Sequence, residues 1–223
     1  MKRPMWSYPT TRAEVAALRA RAAADEVDAI VKLAIIYDNG AGPLDDGRCI
    51  RPDERRARGY WERAARRGDV SAITRVADFL SAPGHRPREL ALAVRMYRRA
   101  FRRGDMTAAD NLAATYMDVG RYREAVAWWR RAEAAGSSTA SIEVARAELY
   151  GVGTRRNPRA AFERLEKLAT ERLGWNNWLR IEAMTVMADA LFDGWLVPYD
   201  GKRAKAWRRA ARTLDPADYD AKR

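Results

Sequence analysis

Few residues of this 223-residue chain have side chains suited to catalysis or metal binding. The sequence contains one cysteine, Cys49, and one histidine, His85, so it cannot form an internal disulfide and lacks the ligand set of a typical zinc site. His85 lies in the segment SAPGHRP, with no acid or nucleophile beside it, which favours a solvated loop histidine. We therefore predict no metal site and no catalytic histidine.

Other catalytic patterns are equally scarce. The stretch Gly151, Val152, Gly153 follows a helical pattern and lacks the preceding strand of a dinucleotide-binding fingerprint, so it predicts a turn. The sequence has neither a Gly-x-Ser-x-Gly motif nor a glycine-rich phosphate loop. Carboxylates such as Asp78 and Asp110 could still approach each other in space as an acid and a base, which sequence alone leaves open. We expect a protein that is not an enzyme and uses no cofactor.

Composition indicates a folded, basic protein. Apolar residues make up 48% of the chain and charged residues 32%, and no apolar run approaches the length of about 20 residues that spans a membrane. The N-terminal segment has no apolar core of a secretory signal, so we expect a cytoplasmic location. The net charge of +12 suggests acidic partners, although arginine-rich and alanine-rich composition also follows from GC-rich coding sequence.

A repeat runs through the chain. The segments ARGYWERAARRGDVSA, AVRMYRRAFRRGDMTA and AVAWWRRAEAAGSSTA align without a gap, starting at Ala57, Ala93 and Ala125. The same frame fits Ala161 and Ala204, so successive frame alanines are 32 to 43 residues apart. A fixed period of this size is the signature of stacked structural units.

The frame predicts helices. Residues three and four apart share one face, so small alanines and the aromatics Trp61, Tyr97, Trp129 and Trp207 should form the packed stripe between repeats. Gly68, Gly104 and Gly136 follow, where a helix should end in the left-handed conformation. A second kind of segment, such as ASIEVARAELYGVGT, reads as a helix ending in a glycine turn, so the chain is predicted to be a string of helical hairpins.

These features resemble the Sel1-like repeat, a relative of the tetratricopeptide repeat. The resemblance covers about Asp28 to Arg212, with an insertion after Gly42, SAPGHRP in place of the second double-glycine turn, and Glu148 where an aromatic is usual. It implies an all-α, right-handed α-solenoid of about five hairpins with a capping helix near Thr11 to Ala24. We expect an N-terminal segment and cap over residues 1–27, the repeat array over 28–212 and a tail over 213–223.

The family resemblance also implies a function. Such solenoids usually act as scaffolds that hold peptides or domains in a concave groove lined by the first helix of each hairpin. Many bacterial members belong to effector, immunity or regulatory systems, so neutralisation of a cognate toxin is one alternative. The sequence leaves the partner, the pathway and the oligomeric state open.

Charge separates the two helices of each hairpin. The predicted first helices carry 13 acidic and 4 basic residues, and they cover residues 25–38, 71–82, 105–118, 138–150 and 180–193. The predicted second helices carry 9 acidic and 26 basic residues, and they cover residues 53–68, 88–104, 121–135, 158–172 and 202–212. An acidic groove would bind a basic peptide, whereas a basic outer face would bind nucleic acid or another polyanion. In a third interpretation the charged side chains only form exposed ion pairs with one another and aid solubility. We rank a protein or peptide partner first. The groove candidates are Asp38, Asp78, Asp110, Asp118, Asp189 and Asp193, and the polyanion candidates are Arg98, Arg99, Arg102, Arg103, Lys202, Arg203, Lys205, Arg208 and Arg209.

Tryptophans in predicted turns are the last candidates. Trp175 and Trp178 lie in an expanded connection before the last hairpin, and Trp195 lies in its turn. Each could cover an exposed repeat edge or act as a binding hot spot, a role for which tryptophan is enriched.

Overall fold

The computed structural model describes residues 8–82, 84, 86–170, 177–194 and 197–214. Within these residues it is all-helical, with a single isolated β-bridge between Ala41 and Ile50. Its eleven described helices are α1 (Arg12–Ala23), α2 (Val27–Asn39), α3 (Glu54–Arg66), α4 (Val70–Ser81), α5 (Pro87–Arg102), α6 (Met106–Asp118), α7 (Tyr122–Ala134), α8 (Ser138–Tyr150), α9 (Pro158–Thr170), α10 (Asn177–Asp193) and α11 (Gly201–Thr213).

The helices pair as the repeat predicts. Packed hairpins are formed by α2 with α3, α4 with α5, α8 with α9 and α10 with α11, and each of α4, α8 and α10 also packs on the helix before it. The predicted capping helix is α1, whose N-cap Thr11 accepts a hydrogen bond from the backbone of Glu14. This architecture confirms the predicted all-α solenoid class.

The frame alanines lie in the core. Ala57, Ala93, Ala125, Ala161 and Ala204 are all fully buried, because a methyl side chain lets the neighbouring helix approach closely. Trp61, Tyr97 and Trp129, four residues later, are also buried. Trp207 departs from this prediction, since it is only half-buried and occupies the preceding register position. In α11 the fourth residue after the frame alanine is the exposed Arg208.

Glycines end the second helices as expected. Gly68, Gly104 and Gly136 have φ angles of 85°, 94° and 100°, a conformation that other residues adopt at a cost. The chain then turns directly into the next first helix, which starts behind the N-cap residues Asp69 and Ser137 in two cases. These short connections keep consecutive helices adjacent.

The chain divides into two compact units. An N-terminal unit covers residues 1–108 and a C-terminal unit covers 109–223, with the boundary inside α6. A core cluster in the first unit surrounds Ile30, Leu33 and Trp61. The second unit has its own cluster around Leu149, Leu165 and Met187. None of the described helices is long and apolar enough to cross a membrane.

Candidate partner-binding surfaces

Asp38 is held within its own unit. Its side chain, 14% exposed, accepts hydrogen bonds from the Trp61 indole nitrogen at 3.0 Å and from Arg75 Nε at 3.0 Å. It therefore ties α2 to α3 and to α4, the first helix of the next repeat. The Asp38 carboxylate therefore takes part in contacts between helices.

Asp78 and Asp189 make equivalent ties within their hairpins. Asp78 on α4 accepts a hydrogen bond of 2.8 Å from the Tyr97 hydroxyl on α5. Asp189 on α10 accepts one of 3.0 Å from Arg208 on α11, in an ion pair whose two side chains are about half exposed. The same register position thus joins first helix to second helix in two repeats.

Among the predicted groove residues, Asp110 is the one whose carboxylate has an altered pKa because it is partly buried. Its Oδ2 accepts a hydrogen bond of 2.8 Å from Ser137, while its buried Oδ1 has no hydrogen-bond partner among the described residues. Burial raises the pKa of the Asp110 carboxyl above its ordinary value, and the Ser137 hydrogen bond offsets part of that rise. Burial likewise raises the pKa of Glu143 on α8, with smaller contributions from Glu182 and Asp110 opposed by Arg146.

Because Asp110 lies in this environment, we predict that Asp110→Asn increases the stability of the fold in a pH-dependent way. A carboxyl whose folded-state pKa lies above its unfolded value destabilises the fold once the pH exceeds the ordinary value, and has no such effect below it. We expect the variant to be more stable than wild type near neutral pH and equally stable in acid, measured by urea unfolding across pH. The exposed Asp118→Asn serves as control, and a gain independent of pH would contradict the assignment.

The remaining groove candidates lie on the surface. Asp118 and Asp193 are exposed at the ends of α6 and α10, and Trp178 is 54% exposed on the first turn of α10. Trp175, Trp195 and His85 lie outside the described residues. The structure thus leaves Trp178, Asp118 and Asp193 accessible, whereas Asp38, Asp78, Asp110 and Asp189 take part in contacts between helices.

Several basic candidates also have internal partners. Arg103 donates a hydrogen bond of 2.7 Å to the Gly68 carbonyl, and Arg203 lies 3.2 Å from Glu166. Arg208 pairs with Asp189 and stacks over the Phe192 ring. The other candidates, Arg98, Arg99, Arg102, Lys202, Lys205 and Arg209, are exposed.

Exposed arginines form one row along α5. Arg88, Arg95, Arg99 and Arg102 follow one another at about seven, four and three residues, the spacings that place side chains on one helix face. None of the four has an acidic partner within the described part of the chain. The Arg102 Nε donates only to the Arg98 carbonyl, at 3.3 Å. We call these four residues the α5 row.

An apolar pocket lies in the C-terminal unit. It has a volume of about 340 Å³ and is formed by α9, the end of α10, residues 197–200 of the following loop and the start of α11. We call it the loop pocket. Its lining residues are Pro158, Arg159, Phe162, Leu191, Val197, Pro198, Tyr199, Asp200 and Arg203.

Tyr199 forms an exposed aromatic edge of the loop pocket. It is 67% exposed, and its ring lies 6.3 Å from that of Phe192, itself 46% exposed. Two glycines make room for it, since a Cβ on Gly194 would lie 3.0 Å from Tyr199 Cβ and one on Gly201 would clash with the ring and hydroxyl. The local sequence GWLVPYDG therefore presents an aromatic side chain beside the pocket.

Sequence reasoning missed Phe162, Phe192 and Tyr199. It singled out Trp195 in the same loop, yet the pocket requires side chains from three helices, which a loop motif alone does not reveal. The pair of glycines bracketing Tyr199 was the available signal. Within the described residues, no group of three or more His, Cys, Asp and Glu side chains is arranged to hold a metal ion.

Comparisons with known proteins give a consistent result. The family model of the Sel1 repeat matches residues 27–69, 70–105, 115–137, 138–171 and 181–213. The chain is similar to the crystal structure of c5321, a protective antigen present in uropathogenic Escherichia coli strains displaying an SLR fold, with 21% identity and a TM-score of 0.67. That alignment covers 93% of this chain but only 42% of the antigen.

A second solved structure shows the same fold. The Sel1 repeat protein from Oxalobacter formigenes is 21% identical, with a TM-score of 0.63 over 89% of this chain and 78% of that protein. A search of curated proteins found no match.

Proposed function

We propose that this chain, which belongs to the Sel1 repeat family, is an interaction scaffold that binds a partner protein through the loop pocket. Repeats of this family generally mediate protein interactions and are typically non-catalytic. The observation that carries the proposal is a largely apolar pocket next to the exposed aromatics Tyr199 and Phe192.

The loop pocket suits one apolar side chain of a partner. Its volume of about 340 Å³ lies in the range of small binding sites, and its lining residues Phe162, Leu191 and Val197 offer apolar contact. Arg159 and Arg203 also line the pocket, and each guanidinium keeps hydrogen-bond donors beyond those used in its ion pair with Glu163 or Glu166. A buried apolar anchor with a polar rim is the usual composition of an interaction hot spot.

Placing a charge in the pocket should strongly reduce partner capture. We expect Val197→Arg to weaken binding of the partner by about 30-fold, as loss of a hot-spot contact of about 2 kcal/mol would. The measurement is affinity capture by the full chain from its native lysate, with nuclease and at two salt concentrations, quantified by mass spectrometry. Leu92→Ala, an exposed apolar residue of the other unit, should retain the partner.

Two results would contradict the proposal. One is the absence of any stoichiometric protein that survives nuclease and salt. The other is a partner that Val197→Arg and Leu92→Ala retain equally. Circular dichroism of both variants checks that the helices are intact.

The α5 row favours polyanion binding as a second candidate function. Four arginines on one exposed face could each contact a phosphate, and guanidinium groups bind phosphate in bidentate geometry. Toxin neutralisation and binding of a basic peptide by the acidic first helices stay predictions.

A salt titration tests the α5 row. If the row contacts a nucleic acid backbone, Arg88→Gln, Arg95→Gln and Arg99→Gln together should reduce the salt slope of duplex binding by about 2.7, at about 0.9 per phosphate contact. Fluorescence anisotropy with a labelled duplex measures this slope. An unchanged slope would show that the arginines contact no phosphate.

A further inference from the structure

The second helices share a face that meets the next repeat. Counted from the frame alanine, this stacking face holds the first, fifth and eighth residues that follow it. On α7 these are Val126, Arg130 and Glu133, and on α9 they are Phe162, Glu166 and Ala169.

On α7 the stacking face contacts α8, the first helix of the next repeat. Arg130 lies 3.4 Å from the carboxylate of Glu148, and Glu133 accepts a hydrogen bond of 2.9 Å from Ser141. Val126 is 2% exposed. A cation at the fifth position is thus paired with a carboxylate of the following first helix.

On α9 the same face meets the last hairpin. Arg180 of α10 donates a hydrogen bond of 3.1 Å to the Ala169 carbonyl, and Glu166 pairs with Arg203 of α11 at 3.2 Å. Phe162 lies against the connecting loop in the loop pocket. The stacking face of an inner repeat is therefore occupied by its successor.

On α11 the three positions are all cationic. Lys205, Arg209 and Arg212 are exposed, and none of them has an acidic partner within the described residues. Their neighbours Arg203 and Arg208, by contrast, are paired with Glu166 and Asp189. These three positions are apolar, acidic or paired in α7 and α9, whereas in α11 they are exposed cations with no acidic partner among the described residues.

We infer that the stacking face of α11 binds an acidic helix of a partner protein, seated where the first helix of a further repeat would stack. This inference rests on the proposed scaffold function. Lys205 and Arg212 are two turns apart, about 10 Å along the helix, so carboxylates spaced by three or four residues on a facing helix can reach all three cations. The contact between Arg130 and Glu148 is the equivalent pairing inside the array.

The face suits a helix better than a nucleic acid. About 10 Å of one strand presents about three phosphates, so a nucleic acid makes no more charge contacts with this face than an acidic helix does. None of the three side chains is aromatic, so the face has no surface on which bases could stack. A helix with carboxylates on one face, in contrast, can pair with all three cations, as Glu148 of α8 pairs with Arg130 of α7.

The test uses the full chain and two designed peptides. One is a side-chain-bridged helix of about 15 residues with glutamates on one face, and the other carries glutamine at those positions. We expect the glutamate peptide to bind in fluorescence anisotropy and to bind at least tenfold more weakly to the triple variant Lys205→Gln, Arg209→Gln, Arg212→Gln. The triple variant Arg55→Gln, Arg66→Gln, Arg123→Gln, which loses three exposed arginines on other helices and so has the same net charge, should bind like wild type.

Four outcomes would overturn the inference. Absence of peptide binding would make the face a polar cap only, and equal loss of binding in both triple variants would make net charge the cause. Duplex DNA that binds more tightly than the peptide, in a way that depends on α11, would assign the face to nucleic acid. Dimerisation that depends on α11, measured by light scattering, would assign the face to a second copy of the chain. If Val197→Arg still reduces partner capture, the proposed scaffold function survives all four outcomes.

Discussion

Replacing Arg164 by leucine is expected to lower the free energy of unfolding of the C-terminal unit by about 3 kcal/mol. Arg164 on α9 pairs with Glu133, and its Nη2 lies 3.6 Å from Glu148, whose side chain is only 8% exposed. In the variant, Glu148 keeps only its ion pair with Arg130, and Glu133 keeps only the hydrogen bond from Ser141. Urea denaturation followed by circular dichroism measures the loss.

A double-mutant cycle identifies the cause. Glu148→Leu alone should be nearly neutral or stabilising, because it removes a buried carboxylate whose Oε2 has no hydrogen-bond partner among the described residues, while Arg164 keeps Glu133. In that background Arg164→Leu should cost clearly less. Equal costs in both backgrounds would show that the two side chains are not coupled.

Gly153→Ala is expected to destabilise the same unit by about 3 kcal/mol or more. Gly153 has a φ of +69°, and an added Cβ would lie 2.5 Å from the Tyr122 carbonyl carbon and 3.0 Å from its Cβ. Because the atoms in the way are backbone, they cannot rotate aside. Thermal and urea denaturation of the purified variant give the effect.

Gly151→Ala is the matched control. Gly151 also has a left-handed φ, of +75°, but the atom nearest its added Cβ would be Arg156 Cβ at 3.5 Å, an ordinary van der Waals contact. The expected cost is the conformational strain alone, about 1 to 2 kcal/mol. If both variants lost the same stability, the close approach of Tyr122 would not be the cause.

The helices were predictable because their signals are local. The frame alanines, the aromatics that follow them and the closing glycines repeat along the chain, so the predicted helices agree with the structure to within about three residues. Trp207 was the exception. In the last hairpin the fourth position after the frame alanine holds Arg208, which pairs with Asp189 of the same hairpin, and the tryptophan takes the preceding position.

The candidate sites were less predictable because they depend on contacts between repeats. Composition separated acidic first helices from basic second helices, but it did not reveal that Asp38 bonds to Trp61 and Arg75. Glu148 stood out in the sequence as a departure from the repeat, yet its partners Arg130 and Arg164 come from two other helices. The loop pocket likewise needs Phe162 and Tyr199 to meet across 37 residues of sequence.

Amide hydrogen exchange of the full chain, with and without the captured partner, tests the scaffold account most directly. The account predicts slowed exchange at residues 158–162 and 197–203, which form the loop pocket, and no such protection in the Val197→Arg variant. Protection confined to the first helices α2, α4 and α8 would contradict it and would place the partner on the acidic surface instead.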